Sequence, residues 1–250
     1  MHESDAADIE SQATQDMLMR HSVLMLFASR TTGEWSQGTG TFFETDRHHY
    51  LVTAAHVAED LGADDLRFGL ILQPGGSKAI FEPERPDHWI LGNQATRDVA
   101  AFRLARGDVQ EIKRAGFRFL RVSDFADGEF GRFAIYGYPK AMTTIDHHGL
   151  HKDSVWLEVP AYEGSERCGK NEFLLKWHDG IDFHLGGVSG SPVWAVLEQR
   201  PGSIWGGPTA HYKFCGIQIS IKKGEWIKFV QAFVVGEMLD LADRIQIIRK

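Results

Sequence analysis

One serine in this chain stands within a run of small residues, Gly187-Val188-Ser189-Gly190-Ser191-Pro192. A serine hydroxyl is a weak nucleophile until a neighbouring imidazole takes its proton, so it needs a histidine within hydrogen-bond reach. Two earlier segments supply polar groups of the right kind, since Thr53-Ala54-Ala55-His56 ends an apolar stretch and Arg97-Asp98-Val99-Ala100 opens another. These residue types predict nucleophilic catalysis by Ser189, with His56 as the base and Asp98 as the carboxylate that orients it.

The same chemistry needs fixed hydrogen-bond donors for the negative charge that develops on the attacked oxygen. The backbone N–H groups of Gly187 and Ser189 can converge on such an oxyanion if Gly187 takes a conformation that a side chain would hinder. Each motif alone has an ordinary alternative: a turn between strands for the serine run, a core or turn position for His56, and a strand entry for Asp98. Their combination and order along the chain favour a catalytic triad with Gly187 and Ser189 as the oxyanion hole.

The three motifs resemble those of the trypsin/chymotrypsin-like serine peptidases, and the bacterial members in particular. They follow the order His, Asp, Ser that this family shows, and the segments Gly38–Phe43 and Gly137-Tyr138-Pro139 also resemble the bacterial branch. The resemblance extends over roughly residues 21–235. It implies two packed antiparallel β-barrels, the first holding His56 and Asp98 and the second holding Ser189, and hydrolysis of peptide bonds through an acyl-enzyme.

The resemblance also implies where a substrate side chain would bind. The position six residues before the serine lies at the base of that pocket in the family, and here it is Phe183. A phenyl ring there favours a small or modestly apolar substrate side chain. A shift of one position brings in Asp182, which favours Lys or Arg, or His184, which favours an acidic side chain.

By the same resemblance, the strand over residues 216–221 supplies a backbone edge for an extended peptide. Substrate contacts are expected from Ile219, Ser220 and Ile221, with Gln218 near the pocket wall. The animal digestive members carry an acid directly before the serine, which pairs with a freshly cut N-terminus, whereas this chain has Val188 there. This implies a site that forms without such cleavage or is ordered by something else, and it leaves regulation by a partner protein open.

Short apolar runs separated by glycines and turn residues predict an all-β architecture with six strands in each half. A short helical turn over 55–61 places His56 at a strand end, where a barrel rim would expose it. The stretch 105–130 is interpreted as a connection. The predicted organisation is a polar arm over 1–20, a first barrel over 21–118, a linker over 119–131, a second barrel over 132–233 and an amphipathic C-terminal helix over 234–250.

Composition indicates which binding partners and which cellular compartment are expected. The chain has 250 residues, 27 Lys and Arg against 34 Asp and Glu, and a net charge of −7, without a dense basic run, so nucleic acid is not an expected partner. The apolar stretch 23–28 is too short to span a bilayer and no basic signal region precedes it, so no membrane association is expected. Only Cys168 and Cys215 are present, which indicates free thiols in a reducing compartment, and a cytoplasmic location is expected.

A second cluster of polar residues has the side-chain types that bind metals. Asp146, His147, His148 and His151 lie close together and could hold zinc, but neighbouring histidines in a polar loop are usually solvated, and the triad needs no metal. No metal or cofactor is therefore expected. The sequence favours a serine endopeptidase of narrow specificity or under partner control. The alternatives are a catalytically silent two-barrel module that binds a peptide or protein, and an esterase that uses the same three residues.

Overall fold

The computed structural model of the chain describes residues 14–29, 31–59, 66–72, 80–84, 89–91, 98–126, 130–146, 149–162, 171–177, 185–197 and 211–244. Half of these residues belong to antiparallel strands, which form two large sheets and one small hairpin. Residues 14–19 are helical and precede the first strand. The predicted all-β architecture of two trypsin-like barrels with a C-terminal helix is confirmed.

The first sheet contains seven strands among the described residues. They are β1 (Ser22–Ser29), β2 (Trp35–Glu44), β3 (His49–Thr53), β4 (Leu66–Ile71), β5 (Ile80–Phe81), β6 (Trp89–Leu91) and β7 (Ala100–Arg103). Their spatial order is β5-β4-β1-β2-β3-β7-β6, and neighbouring strands are antiparallel. The sequence predicts six strands here, and β6 is the additional one, because so short a strand gives no periodic pattern.

Strand β1 shows why the first sheet packs on both faces. Its first six residues are all buried. Val23, Met25 and Phe27 belong to the core of the first barrel. The alternate residues Leu24 and Leu26 pack with Tyr136 of the second sheet and with Tyr138, which follows the same strand. This continuous burial specifies the register of β1, since a shift by one residue would exchange the two faces.

The second sheet contains six strands: β8 (Arg132–Gly137), β11 (Val155–Pro160), β12 (Glu172–Lys176), β13 (Pro192–Leu197), β14 (His211–Lys222) and β15 (Trp226–Gln231). The strands β9 (Thr143–Asp146) and β10 (Gly149–Lys152) form a separate hairpin. The order in the sheet is β11-β8-β13-β14-β15-β12. An antiparallel bridge between Ala161 and Leu175 joins its outer strands and closes the sheet into a barrel.

Besides the helical residues 14–19, the described chain contains the helices α1 (Ala55–Ala58), α2 (Arg106–Arg114) and α3 (Ala232–Arg244), and single 3₁₀ turns cover Val122–Asp124 and Lys140–Met142. Helix α3 buries Val234, Val235, Met238 and Leu239 in a core that residues of both sheets share. The described part of α3 covers the predicted helix up to Arg244, and residues 245–250 lie outside the described residues. Within the described chain, the helices are all too short or too polar to cross a membrane.

The predictions for the connecting stretch, the cysteines and the candidate zinc cluster can also be compared with the structure. The stretch 105–130 contains α2, a helix that the sequence interpretation missed. Cys215 is a buried free thiol, whereas Cys168 lies outside the described residues. His147 and His148 of the candidate zinc cluster also lie outside the described residues.

Candidate active site

The pairing of β3 with β7 brings the predicted base and carboxylate together. His56 lies in α1, which follows β3, and Asp98 lies two residues before the start of β7. These strands are antiparallel neighbours, with Thr53 opposite Ala100. Because the end of one strand adjoins the beginning of its antiparallel neighbour, the two side chains emerge at the same edge of the sheet.

The carboxylate of Asp98 holds the His56 ring in one orientation. Its Oδ2 lies 2.8 Å from His56 Nδ1, and its Oδ1 accepts a hydrogen bond of 3.0 Å from the His56 backbone N–H. An ionised carboxylate can only accept, so Nδ1 carries the ring proton and Nε2 remains an acceptor. The imidazole is therefore in the tautomer that a general base needs, and its side chain is 45% exposed.

The same contact changes the acidity of both groups. The hydrogen bond to Asp98 raises the pKa of His56 above its ordinary value, and this gain exceeds the opposing effect of burial. Burial alone would raise the pKa of Asp98, but the His56 ring and backbone amides outweigh it and lower that pKa. The pair is thus stabilised as a carboxylate beside an imidazole that can hold a proton.

Ser189 lies on a loop built from two successive tight turns between Leu185 and β13. The Val188 N–H donates to the Leu185 carbonyl at 3.1 Å, and the Ser191 N–H donates to the Val188 carbonyl at 2.9 Å. Gly187 and Gly190 take φ values of +94° and +95°, a backbone region that residues with side chains rarely adopt. The small residues of the serine motif therefore meet the conformational demand of these turns.

Two backbone amides of this loop remain available to a ligand. The N–H groups of Val188, Gly190 and Ser191 all donate to carbonyl oxygens. Among the described residues, no acceptor engages the N–H of Gly187 or of Ser189. These are the two amides that the sequence predicts as the oxyanion hole, and they can donate to an oxyanion without breaking an existing hydrogen bond.

All three predicted triad residues line one cleft of about 330 Å³. The described residues around it are His56, Asp98, Trp177, Leu185, Gly186, Ser189, Ile219, Ser220, Ile221 and Lys223. Within the described chain, the Ser189 hydroxyl forms no hydrogen bond with the His56 ring. Hydrogen bonds between base and nucleophile are often long before a substrate binds, so the shared cleft is compatible with their joint action.

The predicted substrate residues take different places. Ile219, Ser220 and Ile221 line the cleft. Gln218 is fully buried, and its backbone supports the serine loop by accepting from the Gly190 N–H at 2.8 Å and donating to the Ser191 carbonyl at 2.9 Å. Phe183 and His184 lie outside the described residues.

Three lining residues were not predicted from the sequence: Trp177, Leu185 and Lys223. Trp177 and Leu185 are buried apolar side chains, and Lys223 is the only Lys or Arg among the described lining residues. No local pattern marks Trp177 or Lys223, which directly follow β12 and β14 and come to the cleft only in the folded barrel. Leu185 alone carried a sequence signal, since it directly precedes the glycines of the serine motif.

A larger cleft of about 800 Å³ lies elsewhere, beside α3 and the β2–β3 turn, and none of the triad residues lines it. Several of its charged side chains already have partners. Arg121 contacts Glu44, Arg244 contacts Asp240, and the Arg47 side chain donates to the carbonyl of Asp243. The chemistry is therefore concentrated in the smaller cleft.

Comparison with solved structures places the fold in a known class, the two-barrel fold of the trypsin-like serine proteases. A thermostable serine protease from an extremophilic microorganism covers 92% of this chain and 99% of its own, with 14% identity and a TM-score of 0.57. HL collagenase covers 92% and 95%, with 14% identity and a TM-score of 0.54. An inactivated protease paralogue of the scabies mite covers 92% and 96%, with 15% identity and a TM-score of 0.51.

No protein-family model matches the chain, and no curated protein matches its sequence. At 14–15% identity, the structural likeness shows the fold alone. One of these similar structures is an inactivated paralogue, so the fold does not by itself imply catalysis. Function must be argued from the cleft.

Proposed function

We propose that the chain is a serine endopeptidase that hydrolyses peptide bonds through an acyl-enzyme. One observation carries the proposal. The His56–Asp98 pair, with a ring tautomer suited to proton transfer, lines the same cleft as Ser189, whose loop offers two free amides. A structural ion pair would not need a nucleophile and an anion-binding backbone beside it.

In the first half of the proposed reaction, Ser189 Oγ attacks the carbonyl carbon of the peptide bond while His56 Nε2 takes the hydroxyl proton. The carbonyl oxygen becomes an oxyanion, which the Gly187 and Ser189 amides stabilise. His56 then gives its proton to the departing amine as the C–N bond breaks, and an ester on Ser189 remains. Asp98 stabilises the imidazolium throughout and stays ionised.

In the second half, water attacks the ester while His56 takes one of its protons. The new tetrahedral oxyanion uses the same two amides. When the bond to Ser189 Oγ breaks, His56 returns the proton to that oxygen and a carboxylic acid leaves. Every proton is returned, so the residues of the chain regenerate the starting site without a cofactor.

The described lining of the cleft supports a preference for peptides with apolar side chains. Trp177, Leu185, Ile219 and Ile221 present apolar surface beside Ser189. Lys223 adds one exposed ammonium at the same cleft, which would favour a carboxylate on the substrate. We propose narrow specificity of this kind, or control by a partner protein, for an enzyme that works in the cytoplasm.

The second candidate function is a silent module that binds an extended peptide in this cleft. The observation that favours it is the absence, among the described residues, of a hydrogen bond between Ser189 and His56. The inactivated paralogue with a similar fold is a precedent for such a role. An esterase would use the same triad, and differs only in the group that leaves.

The first test is the intact mass of the protein after exposure to a fluorophosphonate, which phosphonylates an activated serine. We expect one adduct on the wild type and none on Ser189→Ala or His56→Ala. Ser191→Ala is the matched control, because Ser191 neighbours the nucleophile but its buried hydroxyl donates to the Val188 carbonyl. An adduct that survives Ser189→Ala, or none on the folded wild type, would contradict catalysis by this triad.

A second measurement separates the peptidase from the esterase. A panel of peptides that vary in the residue before the cut would be incubated with the protein, and new amino termini would be quantified. Cleavage after apolar residues that disappears in Ser189→Ala supports the endopeptidase. Hydrolysis of small esters without any cleaved peptide would support the esterase.

A further inference from the structure

Thr39 belongs to the first barrel, yet its polar atoms contact the serine loop of the second. It lies on β2 and is fully buried. Its backbone N–H donates to the Ser189 carbonyl at 2.9 Å, and its Oγ1 donates to the Gly187 carbonyl at 2.9 Å. The same Oγ1 accepts a hydrogen bond of 3.3 Å from the Tyr138 N–H. One side chain therefore joins β2, the serine loop and the segment after β8.

These contacts restrain the peptide planes on both sides of the nucleophile. A peptide unit is planar, so fixing a carbonyl oxygen fixes the plane that contains it. Thr39 holds the carbonyl of Gly187 through its hydroxyl and the carbonyl of Ser189 through its amide. The residues between these carbonyls then have little freedom, and the Ser189 N–H lies between them.

The third contact of Thr39 extends the restraint to the other oxyanion donor. The Gly187 N–H shares a peptide plane with the Gly186 carbonyl, which accepts from the Lys140 N–H at 2.5 Å. Lys140 follows Tyr138 closely, and Thr39 Oγ1 holds Tyr138 in place. The Gln37 side chain adds a hydrogen bond of 2.7 Å to the Tyr138 carbonyl. Through residues 138–140, the Thr39 hydroxyl therefore restrains the Gly187 N–H as well as the Ser189 N–H.

We infer that the Thr39 hydroxyl is a positioning group for the oxyanion hole, acting across the boundary between the barrels. The inference rests on the proposed function and deepens it. Gly186 and Gly187 carry no side chain that resists rotation of their peptide units, so the orientation of the Gly187 amide depends on hydrogen bonds from neighbouring segments. Without the hydroxyl, the Gly187 carbonyl and the Tyr138 N–H lose their partner. The segment that holds the Gly186 carbonyl is then less restrained, and the Gly186–Gly187 peptide, which carries the Gly187 N–H, can turn.

Strand β2 provides its own matched control. Thr41 lies two residues further on the same face, is also fully buried, and donates from Oγ1 to the Gly190 carbonyl at 3.0 Å. This bond supports the loop after the nucleophile, away from the Gly187 amide. Replacing either threonine by valine removes a buried cross-barrel hydrogen bond at nearly constant volume, but only Thr39→Val affects the proposed oxyanion donors.

The test compares Thr39→Val, Thr39→Ser and Thr41→Val with the wild type, by kcat and KM on a cleaved peptide or ester and by thermal unfolding. We expect Thr39→Val to lower kcat by about 100-fold, the loss typical of one oxyanion donor, with KM nearly unchanged. Thr39→Ser keeps the hydroxyl and should restore most of kcat. Thr41→Val should lower the unfolding temperature by a few degrees, as Thr39→Val does, and keep kcat within about 3-fold.

Equal loss of kcat in both valine variants would overturn the inference, because the hydroxyl would then act only on stability. A Thr39→Val enzyme with wild-type kcat would overturn it as well. Crystal structures of the two valine variants give a readout independent of turnover: the Gly186–Gly187 peptide should turn in Thr39→Val and keep its orientation in Thr41→Val. A wild type without turnover would refute the proposed function, whereas an unchanged peptide in Thr39→Val would refute this inference.

Discussion

In the first barrel, the proposed base and its carboxylate meet at the ends of two neighbouring strands of one sheet. The proposed nucleophile lies on a loop of the second barrel that the first barrel helps to hold. His56 and Asp98 are joined by two hydrogen bonds that need no residue of the second barrel. The serine loop receives hydrogen bonds from Thr39 and Thr41 across the boundary. The acid–base pair is self-contained, and the nucleophile is not.

Substitutions in these two regions should therefore have different effects on activity and stability. Changes at the acid–base pair should alter proton transfer and its pH dependence while the fold persists. Changes at the boundary should lower the stability of the barrel contact and, at Thr39, should also alter the conformation of the serine loop. The four predictions below test this division, beginning with the largest expected effect.

Replacing Ser189 by alanine should lower turnover by roughly a millionfold, as removal of a triad nucleophile does elsewhere. The fold should be retained, because the contacts that hold the serine loop are made by the backbone groups of the loop. Among the described residues, the Ser189 hydroxyl has no hydrogen-bond partner. Turnover and the urea unfolding midpoint would be measured on the same preparation. A large loss of stability would contradict the view that only chemistry depends on this side chain.

Replacing Asp98 by asparagine should lower kcat by about 10⁴-fold, because the ring would lose the acceptor that selects its tautomer. Asp98 raises the pKa of His56 above 6.5. His56 must be neutral to act as a base, so wild-type kcat/KM should fall as the pH drops through that raised pKa. In Asp98→Asn, the acidic limb should move to lower pH.

The pH–rate profiles of kcat/KM for wild type and Asp98→Asn provide the measurement for this second prediction. Asp108→Asn is a suitable control, because Asp108 is a carboxylate of the first barrel that lies on α2 and binds the Glu84 backbone rather than His56. An acidic limb that stays in place in Asp98→Asn would show that His56 is not the titrating base.

Replacing Gly190 by alanine should destabilise the contact between the barrels. A Cβ there would lie 1.8 Å from the Thr39 carbonyl oxygen and 2.2 Å from Thr53 Oγ1, at a φ of +95°. We expect a loss of about 2–6 kcal/mol, combining crowding with backbone strain. Gly116→Ala is the matched control, since Gly116 has a φ of +89° and nothing within 4 Å of its added Cβ. Equal losses in urea denaturation would show that strain alone is responsible.

Replacing Tyr50 by phenylalanine should give the smallest effect. The Tyr50 hydroxyl donates to Asp243 Oδ1 at 2.6 Å and ties α3 to the first barrel, away from the catalytic cleft. Its loss should cost about 1 kcal/mol, measured by thermal unfolding, and should leave kcat unchanged. A fall in kcat would mean that contacts distant from the cleft also position the serine loop.

Much of the fold could be predicted from the sequence because its signals are local. Strand β13 alternates Val193 and Ala195 in one core with Trp194 and Val196 in another, and such a pattern is visible in a short window. The serine motif also has a local cause, since its glycines serve turns that need positive φ. The triad assignment used order along the chain, and it stays a prediction until the probe experiment is done.

Helix α2 and the hydrogen bond between Thr39 and Gly187 were not predicted, for two different reasons. Helix α2 has an acid in its first turn and Lys113 and Arg114 in its last, followed by Gly116 at positive φ, so a sequence signal was present. The bond between Thr39 and Gly187 joins residues 148 positions apart. Nothing near Thr39 reveals that its hydroxyl faces the other barrel, because the acceptor is a backbone carbonyl that any residue could supply.

The bond from Thr53 Oγ1 to the Thr39 carbonyl, 2.7 Å long, links the strand that leads to His56 with the residue that supports the serine loop. A chain cut between its two barrels would therefore yield one half with an oriented base and no nucleophile, and another half whose serine loop lacks its support. Neither half is a working module. The smallest piece that could carry the proposed chemistry into another protein is the intact pair of barrels, with β2 of the first barrel in its present register.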